Sequence, residues 1–204
     1  MPAVEPVLLV PVKAFGDAKA RLARVLTDAN RAWLAQWMAE RVLAAAGEMP
    51  VYITCDDVAV AEWATAHGAS VLFQPGVGLN PAVNASLATL REQGVDHVVV
   101  AHGDLPRAHT LASVARPGVL TLVPDRRHDG TNVASVPLAI TFELSYGPHS
   151  FSRHLAQAMH NNLHLEVRPD PLLALDIDTP ADLAHPLVQE VLPPWLQTNQ
   201  ANPQ

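Results

Sequence analysis

Short apolar runs rich in valine, isoleucine and leucine recur along the chain and alternate with segments of helical periodicity. The runs are VLLVPV from residue 7, VYITC from 51, SVLF from 70, HVVVA from 97 and GVLTLV from 118. Runs of this length predict buried strands, and strands that alternate with helices predict a mostly parallel sheet covered on both faces. The predicted fold class is therefore α/β, with three layers.

The helical segments carry start and stop signals. The longest helix is predicted over about residues 28–46, where apolar residues fall three or four positions apart. Asp56 is predicted to cap a second helix and Asn80 to open a third, and each of these helices is predicted to end before a glycine. Further on, the pattern predicts a helix near Ser150 and a strand near residues 164–167.

Composition and charge limit the class of protein. A chain of 204 residues, 49% hydrophobic, predicts one domain over residues 1–192, followed by a flexible tail at 193–204. The net charge of −7 and the lack of a basic cluster argue against nucleic acid and membrane surfaces as partners. The single cysteine, Cys55, excludes an internal disulfide, and no apolar run reaches the roughly 20 residues that span a bilayer. A cytoplasmic protein that binds small molecules is expected.

Three aspartates are candidates for a metal site. Asp104 follows the run HVVVAHG, and Asp176 and Asp178 follow LLAL, so each is predicted at the carboxyl end of a buried strand. Two residues apart in an extended segment, Asp176 and Asp178 project from the same face. Oxygen ligands favour Mg²⁺ or Mn²⁺, which are commonly bound together with substrate phosphates. The alternative is structural, with Asp178 or Thr179 capping the last helix and Asp104 merely ending a strand.

A cationic loop follows the first predicted strand. The sequence PVKAFGDAKARL places Lys13, Lys19 and Arg21 at the sheet edge that binds ligands in this architecture, which suits a polyphosphate. A solvated surface loop is the alternative. Neither GxxxxGK[ST] nor GxGxxG follows any strand, which weakens the ATPase and dinucleotide-binding interpretations.

Three glycine-bearing loops are further candidates for binding sites. They lie at 74–84, at 124–132 and around Gly147, before the helix near Ser150. Backbone amides at a helix start bind anions, so the first and third loops offer two anion sites. In the loop at 124–132, a simple turn is the commoner meaning of such residues.

Taken together, these motifs resemble a known family. They are PVK at 11–13, KARL at 19–22, GLN at 78–80, GDLP at 103–106, PD at 124–125, DGTN at 129–132, YGPHSF at 146–151 and LDIDTP at 175–180. Their order and spacing from about residue 7 to 184 resemble the phospholactate or phosphoenolpyruvate guanylyltransferases of coenzyme F420 biosynthesis. The resemblance implies a MobA-like, Rossmann-like nucleotidyltransferase fold. It also implies GTP and Mg²⁺ as requirements, and a phosphorylated three-carbon acid as the second substrate.

The resemblance also assigns roles to individual residues. The family's metal ligands fall on Asp104, Asp176 and Asp178, and its triphosphate-facing loop on Lys13, Lys19 and Arg21. Its acid-binding contacts fall on Thr131, Gly147 and Ser150, and a segment near the nucleoside on Gly78, Leu79 and Asn80. Catalysis is then expected to rest on Asp104, Lys13 and Lys19, through positioning and charge neutralisation rather than a general base.

The chain departs from the family pattern in two places. His102 and Gly103 precede Asp104 where relatives commonly read PADLP, and activity is expected to survive this change. His149 stands where relatives commonly have a small residue, beside the acid-binding residues. An added imidazole donor favours a longer, more polar acid such as 3-phospho-D-glycerate; the alternative is that His149 faces solvent.

Two other classes of function stay open on sequence grounds. One is a glycosyltransferase that uses a nucleotide-sugar, although its aspartate pair would be expected after a mid-chain strand. The other is a non-catalytic nucleotide-binding protein of the same fold, expected to have lost a metal aspartate or the cationic loop. A homodimer and a transient contact with a downstream transferase are also left open.

Overall fold

The computed structural model describes residues 5–197, and within them seven strands form one sheet. The strands are β1 (Val7–Pro11), β2 (Val51–Cys55), β3 (Ser70–Phe73), β4 (His97–Ala101), β5 (Leu120–Pro124), β6 (Thr131–Pro137) and β7 (Leu165–Val167). Their order is β3-β2-β1-β4-β6-β5-β7. β6 is antiparallel to β4 and β5, and the other pairs are parallel. The predicted mostly parallel sheet is confirmed.

Helices cover both faces of the sheet. They are α1 (Asp28–Ala44), α2 (Val58–Ala66), α3 (Leu79–Glu92), α4 (Ser150–His160), α5 (Pro180–Leu183) and α6 (Pro186–Gln189). Val42 of α1 and Val60 of α2 belong to the core on one face, and Leu87 of α3 and Phe151 of α4 to the core on the other. Successive residues of β1 alternate between these cores, as the two-residue repeat of a strand requires. The three-layer α/β/α architecture is confirmed.

A third apolar cluster joins the C-terminal helices to α1. Met38 of α1 packs in it with Leu183 and Leu196, which is only 6% exposed. The Trp195 ring meets Trp33 edge-on at 4.9 Å. Residues 193–197, the start of the segment predicted as a tail, therefore pack onto the fold, and 198–204 lie outside the described residues. Among residues 5–197, no helix has the length and apolarity that crossing a membrane requires.

Two predicted helix starts are wrong by one or two residues. The amide of Val60 donates to the side chain of Asp57, not Asp56, because β2 ends at Cys55 and α2 begins only at Val58. The third helix begins at Leu79, after Gly78 at φ 77°. Asn80 is thus inside the helix and does not cap it.

The strand predicted before Asp176 is also wrong. Residues 171–174 form a turn, because the carboxylate of Asp170 accepts the backbone amides of Leu172 and Leu173 at 3.1 and 3.0 Å. An extended stretch follows the turn, in which Leu175 and Ile177 are buried and the aspartates between and after them are partly exposed. The alternation of core and polar residues that the prediction used is therefore present, although residues 175–178 form none of the strands of the described sheet.

Candidate active site

A crevice opens where the strand order reverses between β1 and β4. The chain passes from β1 to β2 and β3 on one side and returns with β4 on the other, so the loops after β1 and β4 diverge. Open α/β sheets bind ligands at such points. Here the two loops line a cavity of about 400 Å³, to which Lys13, Lys19 and Asp104 contribute.

Three carboxylates converge at this crevice. One oxygen from each of Asp104, Asp176 and Asp178 lies within 4.8 Å of the others. The amide of Ile177 donates to the carbonyl of Asp104 at 3.3 Å, which holds the extended segment against the end of β4. The three aspartates that the sequence predicts to meet at the sheet edge do lie together.

Lys19 lies inside this carboxylate cluster. Its Nζ donates to Asp104 Oδ2 at 2.7 Å and to Asp178 Oδ1 at 2.9 Å, and its side chain is only 9% exposed. Arg21 Nη1 lies 3.6 Å from Asp178 Oδ2, but its side chain is 74% exposed. The loop thus contributes one cation, Lys19, to the interior of the cluster and a second, Arg21, to its surface.

The pKa values reflect this arrangement. Burial tends to lower the pKa of Lys19, but the charges of Asp104 and Asp178 outweigh it and raise that pKa. Burial tends to raise the pKa of Asp104, but Lys19 holds it below its usual range. Burial and the charges of Asp104 and Asp178 raise the pKa of Asp176 to about 7. One ammonium does not offset three carboxylates, and Asp176 is the carboxylate that most readily relieves the excess negative charge by taking up a proton.

The donor set fits a hard divalent cation. Asp104 Oδ1 is buried and has no hydrogen-bond partner among the described residues. A buried carboxylate oxygen left without a partner is costly, and a bound cation removes that cost. Mg²⁺ and Mn²⁺ take carboxylate oxygens, and the cluster offers three of them.

Asp182 positions the segment that carries Asp176 and Asp178. It forms a capping box with Thr179, whose amide donates to Asp182 Oδ2 at 2.9 Å. Asp182 Oδ1 accepts from Arg126 at 2.8 Å and Arg127 at 2.9 Å. Thr179 therefore caps α5, as the structural alternative supposed, while Asp178 stays available to the cluster. Sequence reasoning missed Asp182, although Thr-x-x-Asp before an apolar residue is a known signal.

Thr131 and Ser150, predicted to contact the acid, are 2% and 1% exposed and line neither large cavity. His154 Nε2 accepts from the Ser145 amide, so its Nδ1 carries the proton and donates to Thr131 Oγ1 at 2.9 Å. Burial lowers the pKa of His154 to about 4, which keeps the ring neutral. In this tautomer, the hydrogen bond from His154 Nδ1 fixes the position of the Thr131 hydroxyl.

Gly147 and His149 lie at the start of α4. Gly147 has φ 118°, a value that side chains rarely adopt. His149 Nδ1 lies 2.7 Å from Asp129 Oδ1, and the ring is 79% exposed. This region adjoins the first cavity, because the Tyr146 ring contacts His102, which lines that cavity, with ring centroids 4.5 Å apart.

Of the segment predicted near the nucleoside, Gly78 and Leu79 line a second cavity of about 280 Å³. Lys13 and Leu79 line both cavities, so the two share a wall. Asn80 lines neither: its side-chain amide donates to the carbonyl of Tyr146 and accepts from the Tyr146 amide at 2.7 Å. Its observed role is to fix the chain before Gly147.

Comparison with known proteins identifies the family. Residues 7–189 match the model of the family described as "Guanylyl transferase CofC like". The chain belongs to this family. A phosphoenolpyruvate guanylyltransferase of Sphaerobacter thermophilus is 34% identical over 87% of this chain and 90% of its own length. A 3-phospho-D-glycerate guanylyltransferase of Phenylobacterium zucineum is 33% identical over 85% of this chain and 86% of its own.

Solved structures agree on the fold. A protein of Desulfovibrio desulfuricans G20, described as a nucleotide-diphospho-sugar transferase, superposes with a TM-score of 0.72 at 18% identity, over 89% of this chain and 85% of that one. A nucleotidyl transferase of Methanothermobacter thermautotrophicus gives 0.57 at 15% identity, over 86% and 94%. Family and relatives together make the chain a guanylyltransferase. They do not favour the glycosyltransferase or non-catalytic alternatives.

Replacing Lys19 by methionine should destabilise the protein when no divalent metal is present. The substitution leaves Asp104 and Asp178 without their shared ammonium. We expect the free energy of unfolding to fall by about 2–3 kcal/mol, less than for a fully buried pair because Asp178 is 41% exposed. Urea unfolding in buffer with a chelator measures the change.

Arg21→Met is the matched control, because it removes one positive charge from the same loop at an exposed position. Its effect should stay within about 0.5 kcal/mol. Equal losses in the two variants would mean that Lys19 contributes no more than a surface charge.

Proposed function

We propose that the protein transfers the guanylyl group of GTP to the phosphate of a phosphorylated three-carbon acid and releases pyrophosphate. The candidate acids are 3-phospho-D-glycerate, phosphoenolpyruvate and 2-phospho-L-lactate, the substrates in the names of its relatives. The reaction would be a cytoplasmic step in coenzyme F420 biosynthesis. The observation that carries the proposal is the cluster of three carboxylates at the switch point of a guanylyl transferase chain.

The nucleophile needs no general base. A phosphomonoester has a second pKa of about 6 and is largely dianionic near neutral pH. One of its oxygens attacks the α-phosphorus of GTP and forms a new P–O bond. The bond from the α-phosphorus to the bridging oxygen breaks, and its electron pair leaves with pyrophosphate. The chain therefore has to position two anions and offset their charge.

We assign the neutralisation of the phosphate charges to the side chains that line the first cavity. Lys13 and Arg21 are exposed there and would bind the triphosphate. Asp104, Asp176 and Asp178 would hold Mg²⁺, whose charge, when bound, offsets that of the phosphates. The product is a phosphoanhydride, so a transferase that consumes it is expected to follow.

Lys19 has to exchange partners during this reaction. Its ammonium forms ion pairs with Asp104 and Asp178, two of the three carboxylates assigned to the metal. If those oxygens held a cation, the ammonium of Lys19 would leave them and would remain in a cavity lined also by Lys13 and Arg21. We propose that Lys19 pairs with the carboxylates in the free protein and with the phosphates once metal and GTP are bound.

The acid would bind beside α4, near Thr131, Gly147 and Ser150. Identities of 34% and 33% to relatives with different acids do not separate the candidates. His149 Nδ1 is engaged by Asp129, while Nε2 has no partner among the described residues. We propose that Nε2 accepts a hydrogen bond from a hydroxyl of the acid, which favours 3-phospho-D-glycerate.

Purified protein supplied with GTP, Mg²⁺ and one acid should release pyrophosphate and form the matching guanosine diphospho-acid. Asp104→Asn should lower kcat/KM by at least roughly 10³-fold, because it removes a carboxylate that would hold the Mg²⁺ whose charge offsets that of the phosphates. Pyrophosphate release and product mass measure the reaction with each acid in turn.

Asp96→Asn is the control for this assay. It makes the same change at an exposed aspartate before β4 and should retain full activity. Absence of pyrophosphate release by the wild-type protein with all three acids would refute the proposed reaction.

Lys19→Met should bind Mn²⁺ more tightly than the wild-type protein when no nucleotide is present. The ammonium competes with the metal for Asp104 and Asp178, and the variant removes that competitor. We expect a gain of roughly tenfold or more, equivalent to one lost ion pair. Electron paramagnetic resonance of free Mn²⁺ measures the affinity.

Arg21→Met again serves as the control, since it lowers the local charge equally but leaves the Lys19 ammonium bound to Asp104 and Asp178. Weaker or unchanged Mn²⁺ binding by Lys19→Met would contradict the proposed exchange of partners.

His149→Gly should shift the choice of acid. If Nε2 binds a hydroxyl, the ratio of kcat/KM for 3-phospho-D-glycerate to that for phosphoenolpyruvate should fall roughly tenfold. Glycine accepts the φ of 59° found at this position, so the fold should be retained. His160→Ala, at the far end of α4, is the control, and an unchanged ratio in His149→Gly would exclude the hypothesis.

A further inference from the structure

The second cavity lies beside the proposed triphosphate site. It is bounded by the ends of β1 and β2 and by the start of α3, and has a volume of about 280 Å³. Lys13 lines both this cavity and the first cavity, which Asp104 and Asp178 also line. A nucleotide whose phosphates occupy the first cavity would therefore direct its nucleoside into the second.

Two adjacent aspartates at the end of β2 have different surroundings. Asp57 caps α2, and its Oδ1 accepts the amide of Val60 at 2.9 Å. Asp56 lines the second cavity, is exposed, and makes no hydrogen bond or ion pair with the residues described here. Asp17 also lines this cavity without a side-chain partner among the described residues, but it lines the first cavity as well. Asp56 is therefore the unpartnered carboxylate that belongs to the second cavity alone.

A second, independent observation points to a polar ligand in this cavity. Thr54 lines it, is 2% exposed, and its Oγ1 has no hydrogen-bond partner in the described part of the chain. A buried hydroxyl without a partner is unfavourable unless a ligand or water satisfies it. Asp56 and Thr54 therefore provide the cavity with two unsatisfied polar groups.

We propose that the second cavity binds guanine and that Asp56 selects it by accepting two hydrogen bonds, from N1–H and from the 2-amino group. This inference rests on the proposed guanylyl transfer and names the residue that chooses the base. Guanine has two adjacent donors on this edge, and a carboxylate has two acceptor oxygens at matching separation. No other side chain type offers two acceptors and no donor.

The same pairing rejects other bases. Adenine has an acceptor at N1, which would face the negative carboxylate without a proton between them. Hypoxanthine keeps N1–H but lacks the 2-amino group and loses one of the two bonds. Xanthine has a carbonyl at C2, whose oxygen would repel the carboxylate but accept from an amide.

The substitution Asp56→Asn should therefore change the preferred base. The asparagine carbonyl still accepts N1–H, while its NH₂ group clashes with the 2-amino group of guanine and donates to the C2 carbonyl of xanthine. We expect the ratio of kcat/KM for GTP to that for XTP to fall by roughly 10²-fold or more. The wild-type protein should use ITP roughly tenfold less well than GTP, and Asp56→Asn should not.

Asp57→Asn is the matched control. It makes the identical change one residue away, and asparagine caps a helix as well as aspartate does. Its ratio of GTP to XTP should equal that of the wild-type protein. Competition of each triphosphate against a fluorescent GTP analogue provides a second readout that does not depend on the acid substrate.

The outcomes separate this inference from the proposed function. Guanylyl transfer by the wild-type protein with an unchanged base ratio in Asp56→Asn would overturn the role of Asp56 alone. Absence of transfer by the wild-type protein with every acid would overturn the proposed function, and the competition assay would still decide whether Asp56 selects guanine. A shift of the same size in Asp57→Asn would also overturn the inference.

Discussion

The ion pairs of Lys19 join three parts of the chain that are far apart in sequence. Nζ of Lys19, in the loop after β1, binds Asp104 after β4 and Asp178 near the C-terminus. The carboxylates repel one another at the separations observed, and burial increases that repulsion. Without a shared cation, the repulsion between the carboxylates would push the loops at the sheet edge apart. The site therefore needs a positive charge at its centre, supplied by Lys19 or by a bound metal.

The rest of the fold holds these carboxylates in place. Asp182 anchors the segment of Asp178 through Thr179 and two arginines, and the amide of Ile177 ties the same segment to β4. Asp182 is itself buried, but hydrogen bonds from Thr179 and the charge of Arg127 hold its pKa low. A structural carboxylate, Asp182, thus positions the candidate metal ligand Asp178, only four residues away. This division explains why Thr179 can cap α5 while Asp178 remains in the cluster.

The sequence predicted the sheet and the meeting of the aspartates because both follow from local patterns. Buried strands appear in the sequence as apolar runs, and the carboxyl ends of parallel strands lie at the same edge of the sheet. It failed where a side chain competed with the backbone: Asp170 turns the run before Asp176, and Asp57 rather than Asp56 caps α2. The contact of Lys19 with Asp178 spans 159 positions, and no local pattern encodes it. Roles for Thr131 and Ser150 came only from family resemblance, since buried hydroxyls carry no distinctive spacing.

The electrostatics of the two cavities explain how an acidic protein can bind a polyanion. The chain has a net charge of −7, which by itself would repel GTP and a phosphorylated acid. At physiological salt the screening length is about 8 Å, so a phosphate responds mainly to the charges that line its own cavity. There the charges of Lys13, Lys19 and Arg21 are balanced by those of Asp17, Asp104 and Asp178, and a bound divalent cation would make the sum positive. Asp56, in the neighbouring cavity, then faces only the neutral base, where a negative charge improves selection without opposing the phosphates.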